Sequence, residues 1–207
     1  MYINFMFEQN KNNYVCNWLL LITSLVILMI IVGGFTRLTD SGLSITKWDL
    51  FKGIIPPFTL EKWNYVFSLY KKIPEYTLQN SQMTLQEFKV IYWWEYIHRL
   101  LGRIIGLAYI IPLLFFTFKK YISKKYFIPL YLIFFLICFQ GFIGWYMVES
   151  GLTDRVDVSH YRLSLHLTGA FIILILLVFN YLKLKHHDLL LSGKKIPFNF
   201  PIFFILL

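Results

Sequence analysis

Charge is scarce in this chain of 207 residues: Asp, Glu, Lys and Arg together make up 15% of it, against roughly 25% in soluble domains. That shortage argues against a water-soluble fold. There are two cysteines. Cys16 opens the first long apolar run and Cys138 sits halfway through the third, too far apart in depth for a disulfide, so both are expected as small core residues. CxxC pairs, zinc-ligand spacings, phosphate-binding loops and dinucleotide-binding glycine patterns are all missing, which removes the common soluble enzyme classes. Acids are outnumbered 11 to 20 by Lys and Arg, a net charge of +9. The placement of that charge, worked out below, speaks for membrane topology and against nucleic acid.

What is present is apolar: 57% hydrophobic residues, 20% of the chain aromatic, and a mean hydropathy of +0.59. Residues 14–35, 93–118, 126–148 and 161–182 each reach the roughly 20 residues that a helix needs to cross the hydrocarbon core. A fifth run, 196–207, begins around Pro197 and is still apolar at the last residue, so the chain reads as cut off inside a helix. The first run is too long for a signal peptide and leads into Gly33-Gly34-Phe35 without a small-x-small cleavage pattern, so it is kept as an uncleaved span. The expected fold is all-α: a polytopic transmembrane four-helix bundle over residues 14–183, with an incomplete fifth helix.

Lysines then orient the bundle. Lys119, Lys120, Lys124 and Lys125 lie between the second and third spans with no acid nearby, and Lys183, Lys185, Lys194 and Lys195 follow the fourth with only Asp188. These ends read as cytoplasmic by the positive-inside rule, as do the N-terminal segment 1–13 and the linker in 184–207. Segments 36–92 and 149–162 mix both signs and face outside. The long outer loop carries its own structural signals: turn chemistry at Asp40-Ser41-Gly42, extended backbone at Pro56-Pro57, and an amphipathic helix capped by Thr59. A Thr84…Glu87 capping box starts a helix that should run on into the second span. The loop is expected to form an ordered cap over the outer face, with Trp93 and Trp94 in the interfacial aromatic belt.

Ionisable groups inside a span are expensive and default to function. In the second span, Glu95, His98, Gly102, Ile105 and Gly106 fall on one helical stripe, while Arg99 and Arg103 lie on the next, with Arg99 placed to pair with Glu95 at i,i+4. In the fourth span, Arg162 and His166 share a face, followed by Gly169 and Ala170. Both histidines lie about five residues below the outer ends of helices running the same way, so the rise of 1.5 Å per residue puts them in nearly one plane. Two imidazoles at matched depth, backed by small residues, suit axial ligation of a haem whose flat ring needs a slot, and arginines at that level suit its propionates. Single core histidines usually do no more than hydrogen-bond; the matched pair is what favours a cofactor. His160 reads as an interfacial residue, His186 and His187 as a solvated tail, and Gln140 equally as a bundle hydrogen bond or a pocket contact.

The stretches GGFTRLTDSGLSI (33–45), IPP (55–57), PEY (74–76), MTLQEFK (83–89), WWEYIHRLLGR (93–103), QGFIGWYMVESGL (140–152) and YRLSLHL (161–167) resemble the haem A synthase family, closest to the type found in mitochondria and related bacteria. The resemblance covers about residues 32–170. It implies eight transmembrane helices in two similar halves, each with a histidine pair, in the bacterial inner membrane or the mitochondrial inner membrane. It also implies the conversion of haem O to haem A for cytochrome oxidase: a methyl group is hydroxylated twice and loses water to leave a formyl group. By that resemblance Glu95 is catalytic, His98 and His166 hold the substrate haem, and a haem b belongs to the second half, which this sequence lacks. Haem O synthase, cytochrome oxidase assembly factors and membrane lipid are the partners it implies, together with an electron acceptor of unassigned identity and a homo-oligomer. The outer loop lacks the cysteine pair of some bacterial members, so no thiol chemistry is expected there.

The residues alone support the same chemistry. A carboxylate one turn from an iron ligand can accept a proton or stabilise positive charge at the macrocycle edge in a dry site. Two competing readings remain at this level. One is a two-histidine b-type cytochrome passing electrons, with Glu95 in a proton relay. The other is a haem-free transporter or assembly scaffold whose cap binds a protein.

Overall fold

The computed structural model describes residues 2–47, 52–153 and 155–185. Its helices are α1 (Tyr2–Leu38), α2 (Leu60–Tyr70), α3 (Pro74–Leu78), α4 (Leu85–Phe118), α5 (Phe127–Glu149) and α6 (His160–Lys185), with single 3-10 turns at Lys52–Ile54 and Lys124–Tyr126. The described residues contain no strand, and four of the helices, α1, α4, α5 and α6, are long and apolar enough to span a bilayer. They close a ring in which α1 packs on α4 and α6, and α5 packs on α6 and α4. The expected fifth run at 196–207, and His186 and His187, lie outside the described residues.

The helices overrun the hydropathy boundaries, so the loop expected at 36–92 is shortened to 39–84. α1 continues past Phe35 because Thr36 and Thr39 turn their hydroxyls back onto Gly33 and Phe35 carbonyls. It stops where Asp40 enters the left-handed region at φ 48° and the Ser41 N–H reaches back 2.9 Å to the Thr36 carbonyl, a Schellman closure. Lys120, at φ 55°, ends α4 the same way through Tyr121 N–H to Phe116 O. The capping box at the start of α4 is formed as expected, with Glu87 accepting from the Thr84 N–H at 2.8 Å. Thr59 caps α2 through the Lys62 N–H.

Two apolar clusters result. In the bundle, Trp18, Leu19 and Ile22 of α1 meet Tyr109 and Leu113 of α4, Leu130 and Ile133 of α5 and Leu177 of α6. Pro112 sits inside α4 and has no N–H to give to the Ala108 carbonyl four residues back. The Trp18 indole N–H donates to that carbonyl at 2.9 Å, so the defect in one helix becomes the joint with another. In the cap, Trp63, Phe67 and Tyr70 of α2 stack on Phe88 and Tyr92 of the extended α4, with ring centroids 4.9 Å apart for Phe67–Phe88 and 5.0 Å for Trp63–Tyr92. The long loop is therefore an ordered cap, because α4 projects beyond its apolar segment to give α2 a surface to bury against.

One expectation fails. Cys16 is buried but Cys138 is exposed on the outward face of α5. α5 is apolar on every side, so hydropathy carries no signal for which face turns inward when the surroundings are lipid.

Candidate functional site

Glu95 stands on the second turn of the apolar part of α4, where α4 leaves the cap, and it is 4% exposed. Its carboxylate is completely engaged. The Ser44 hydroxyl donates to Oε2 at 2.6 Å and the Ile45 N–H to the same atom at 2.7 Å. Arg99, one turn along α4, donates through Nε to Oε1 at 3.0 Å and through its terminal nitrogen to the same oxygen, while that nitrogen also reaches the Ile45 carbonyl at 3.0 Å. The expected i,i+4 pair is thus formed, and the segment just after the α1 turn locks over it. Sequence reasoning did not find Ser44 or Ile45, since nothing local marks a loop residue that meets a helix about fifty positions away.

His98 follows one turn deeper. Each imidazole packs against a glycine of a neighbouring helix. A Cβ at Gly33 of α1 would lie 3.1 Å from His98 Cε1, and one at Gly144 of α5 would lie 3.3 Å from His166 Cε1. By contrast, Gly34, Gly106 and Gly141 face nothing within 4 Å, and Gly102 faces Met29.

His98 on α4 and His166 on α6 stand on helices that are diagonal in the ring, each against a glycine of a helix between them. Among the described residues, three buried side-chain polar atoms lack a hydrogen-bond partner: His98 Nδ1, His166 Nδ1 and Gln140 Oε1. Gln140 lies on α5 one turn before Gly144, with its amide pressed against Gly169 of α6, one turn past His166. All three orphaned atoms therefore belong to one layer of the bundle. Buried polar groups are almost always paired, and a layer in which three are not is built to meet something besides the protein.

The arginines sit around this layer with partners of their own. Arg99 is taken up by Glu95 and Ile45. Arg162 donates to the Ser150 hydroxyl and lies 4.8 Å over the Tyr146 ring, and Arg103 is on α4 one turn past Arg99. His160 is exposed and pairs with Asp157 at 3.8 Å, away from the layer.

The cap holds a second buried acid, Glu75 at the start of α3, 2% exposed. It accepts from the Tyr70 hydroxyl at 3.0 Å and the Asn80 amide at 3.5 Å. Burial pushes its carboxyl up to about 7, with Glu95, Asp40 and Asp157 adding to the rise and the Tyr70 bond opposing it. Glu75 borders a cavity of about 50 Å³ with Arg37, Asp40 and Asp157. Burial and the neighbouring Glu75 raise the Tyr70 hydroxyl as well.

Fold and site together define a multi-pass helical membrane protein with two buried, partnerless imidazole nitrogens and, one turn from His98, a buried carboxylate. The family model of COX15-CtaA, described as cytochrome oxidase assembly protein, matches residues 16–206, and the chain belongs to that family. It is 53% identical to the haem A synthase of Pelagibacter ubique over 99% of this chain and 60% of that protein. Against the haem A synthase of Maricaulis maris it is 50% identical over 86% of this chain and 52% of the relative. For that of Rickettsia bellii the figures are 49%, 90% and 55%. The chain thus spans between half and three fifths of the length of these relatives. No solved structure matches it. The electron-transfer and scaffold alternatives are not favoured by relatives that carry the name haem A synthase.

Proposed function

We propose that this chain forms the substrate-holding half of a haem A synthase, in which His98 and His166 ligate haem O and Glu95 serves the oxidation of a methyl group to a formyl group. The observation that carries the reading is the set of three partnerless buried polar atoms, two of them on the imidazoles of His98 and His166. The donor set fits haem. Imidazole is a protein ligand that haem iron takes, and both histidines have a buried nitrogen without a hydrogen-bond partner. The bound haem would supply the redox chemistry at its own periphery.

The chain's own residues then have distinct tasks. Gly33 and Gly144 seat the imidazoles. Glu95, held by Ser44, Ile45 and Arg99, keeps a fixed carboxylate beside the site, oriented to accept a proton from the carbon being oxidised or to stabilise charge at the ring edge. Arg103 and Arg162 lie on the spans to receive propionates, with Arg99 shared between Glu95 and that role. The cap covers Glu95 and excludes water from it. In this reading the cap lies on the outer face of the membrane, the N-terminus is cytoplasmic, and the membrane is the bacterial inner membrane. The haem b and electron acceptor belong to other parts of the system.

The test is extraction of haem from the chain after expression with haem O supplied and with the parts that hold the haem b and the electron acceptor co-expressed. Wild type yields haem oxidised at the methyl carbon, whereas Glu95→Ala retains haem O unmodified. Oxidised haem recovered from Glu95→Ala would overturn the assignment of Glu95.

A further inference from the structure

The edge of the cap between the 3-10 turn at Lys52–Ile54 and the start of α2 is apolar and uncovered. Ile55 is 67% exposed, Phe58 75% and Leu60 65%. In a segment surrounded by water these side chains would cost free energy with nothing gained, since about 25 cal/mol is forfeited per Å² of apolar surface left wet. Their height relative to α4 removes the difficulty. The Tyr96 hydroxyl donates to the Ile54 carbonyl at 2.7 Å, which fastens this edge to the outside of α4 one residue past Glu95 and close to one turn deeper than Trp93. The α4 surface beside it is itself apolar and outward-facing at Trp93 and Ile97. The patch is therefore continuous with the face that a spanning helix turns to lipid. Pro56 and Pro57 stiffen the backbone that presents it.

Basic and amphipathic side chains border the patch on its other side. Lys89 lies 5.4 Å over the Trp63 ring, and Lys47 donates to the Tyr65 hydroxyl at 2.7 Å. Lys62 is exposed, and Glu61 is the one acid in residues 52–65. Apolar residues below, aromatic rings and lysines above is the order in which an interfacial anchor meets acyl chains and then phosphates.

We propose that residues 53–60 insert into the outer-facing leaflet and hold phospholipid, acyl chains against Ile55 and Phe58 and an anionic headgroup against the lysines. The cap is then fixed from two sides, by α4 and by the bilayer, and the segment 44–45 that engages Glu95 is kept in place. This inference rests on the spans crossing a membrane and is independent of what the histidines bind.

Nitroxide labels decide it. The full chain carrying Cys16→Ala and Cys138→Ala takes one label at a time, at Phe58→Cys, Ile55→Cys, Ile97→Cys or Leu78→Cys, and is reconstituted in phosphatidylcholine vesicles containing phosphatidylglycerol. Labels at 55 and 58 should follow the label at 97, relaxed several-fold more by oxygen than by a water-soluble nickel chelate, while the label at 78 shows the reverse. Labels at 55 and 58 that nickel reaches as readily as it reaches 78 would overturn insertion. Dipolar broadening between labels at 58 on different chains would also overturn it, by making a second copy the occupant. Replacing phosphatidylglycerol with phosphatidylcholine should move label 58 toward the aqueous side; no movement would overturn the anionic headgroup.

Discussion

Glu95 and His98 stand one helical turn apart on α4, and their surroundings are opposites. Glu95 has every lone pair it can use met by protein, from Ser44, Ile45 and Arg99. His98 has a buried Nδ1 with no hydrogen-bond partner among the described residues, and so has His166. Both residues are costly inside a bilayer, but the costs are settled in different ways. The carboxylate is finished by the fold, which means that it is positioned before any ligand arrives. In the proposed function the imidazoles are finished by the haem they bind. A carboxylate fixed in advance beside such ligands would suit electrostatic catalysis, because no reorganisation is left for the moment of reaction.

The contrast can be strained hardest on the side of Glu95. Arg99→Ala removes one member of a buried pair and should destabilise the chain by about 3–5 kcal/mol, read as a lowered midpoint in thermal unfolding. Ser44→Ala removes a single donor to a charged group and should cost about 1.5–3 kcal/mol, with oxidised haem falling roughly tenfold in the extraction assay while bound haem stays constant. Equal loss of both would show that Ser44 supports the fold and has no separate part in positioning Glu95.

On the side of the imidazoles the effects are smaller and fall on spectra. Gly33→Ala and Gly144→Ala press a methyl group against His98 and His166, whereas Gly34→Ala and Gly141→Ala meet nothing within 4 Å. The first two should shift the haem absorption bands and weaken haem retention a few-fold, and the second two should leave both unchanged. Spectra that shift alike in all four would remove the seats from the account.

A separate effect, read in pH dependence, belongs to Glu75, the other buried acid, which has two hydrogen-bond partners and no ion pair among the described residues. Burial pushes its carboxyl up to about 7 in the folded cap, above its ordinary value of about 4.5. The folded state therefore binds the proton more tightly. Stability is highest below about pH 4.5, falls as the pH rises toward 7, and levels off above it. The groups facing it are Tyr70, Asn80, Arg37, Asp40, Asp157 and, farther off, Glu95. Glu75→Gln should flatten the pH dependence of thermal stability between pH 5 and 8, by about 1–3 kcal/mol at most. An unchanged slope would mean that another group carries it.

Much of this molecule was legible before any coordinates. The four spans follow from hydropathy, and the capping box at Thr84 and Glu87 follows from local side-chain chemistry. Glu95, Arg99 and His98 share a helix, so spacing alone relates them. What stayed hidden joins residues far apart in sequence. Gly33 seats His98 from another helix, Ser44 holds Glu95 across a loop, and Trp18 completes the Ala108 carbonyl that Pro112 leaves open. Periodicity reports one helix at a time and says nothing of which neighbour it faces. The outward placement of Cys138 was hidden for a related reason, since lipid and core ask for the same apolar residues.

The central claim is that His98 and His166 bind one haem from its two sides, and electron paramagnetic resonance of the purified chain loaded with haem O tests it most directly. Two imidazoles on one iron should give a low-spin ferric signal that turns high-spin in His98→Ala and again in His166→Ala, with haem affinity falling at least about tenfold in each. A low-spin signal that survives either substitution would contradict it.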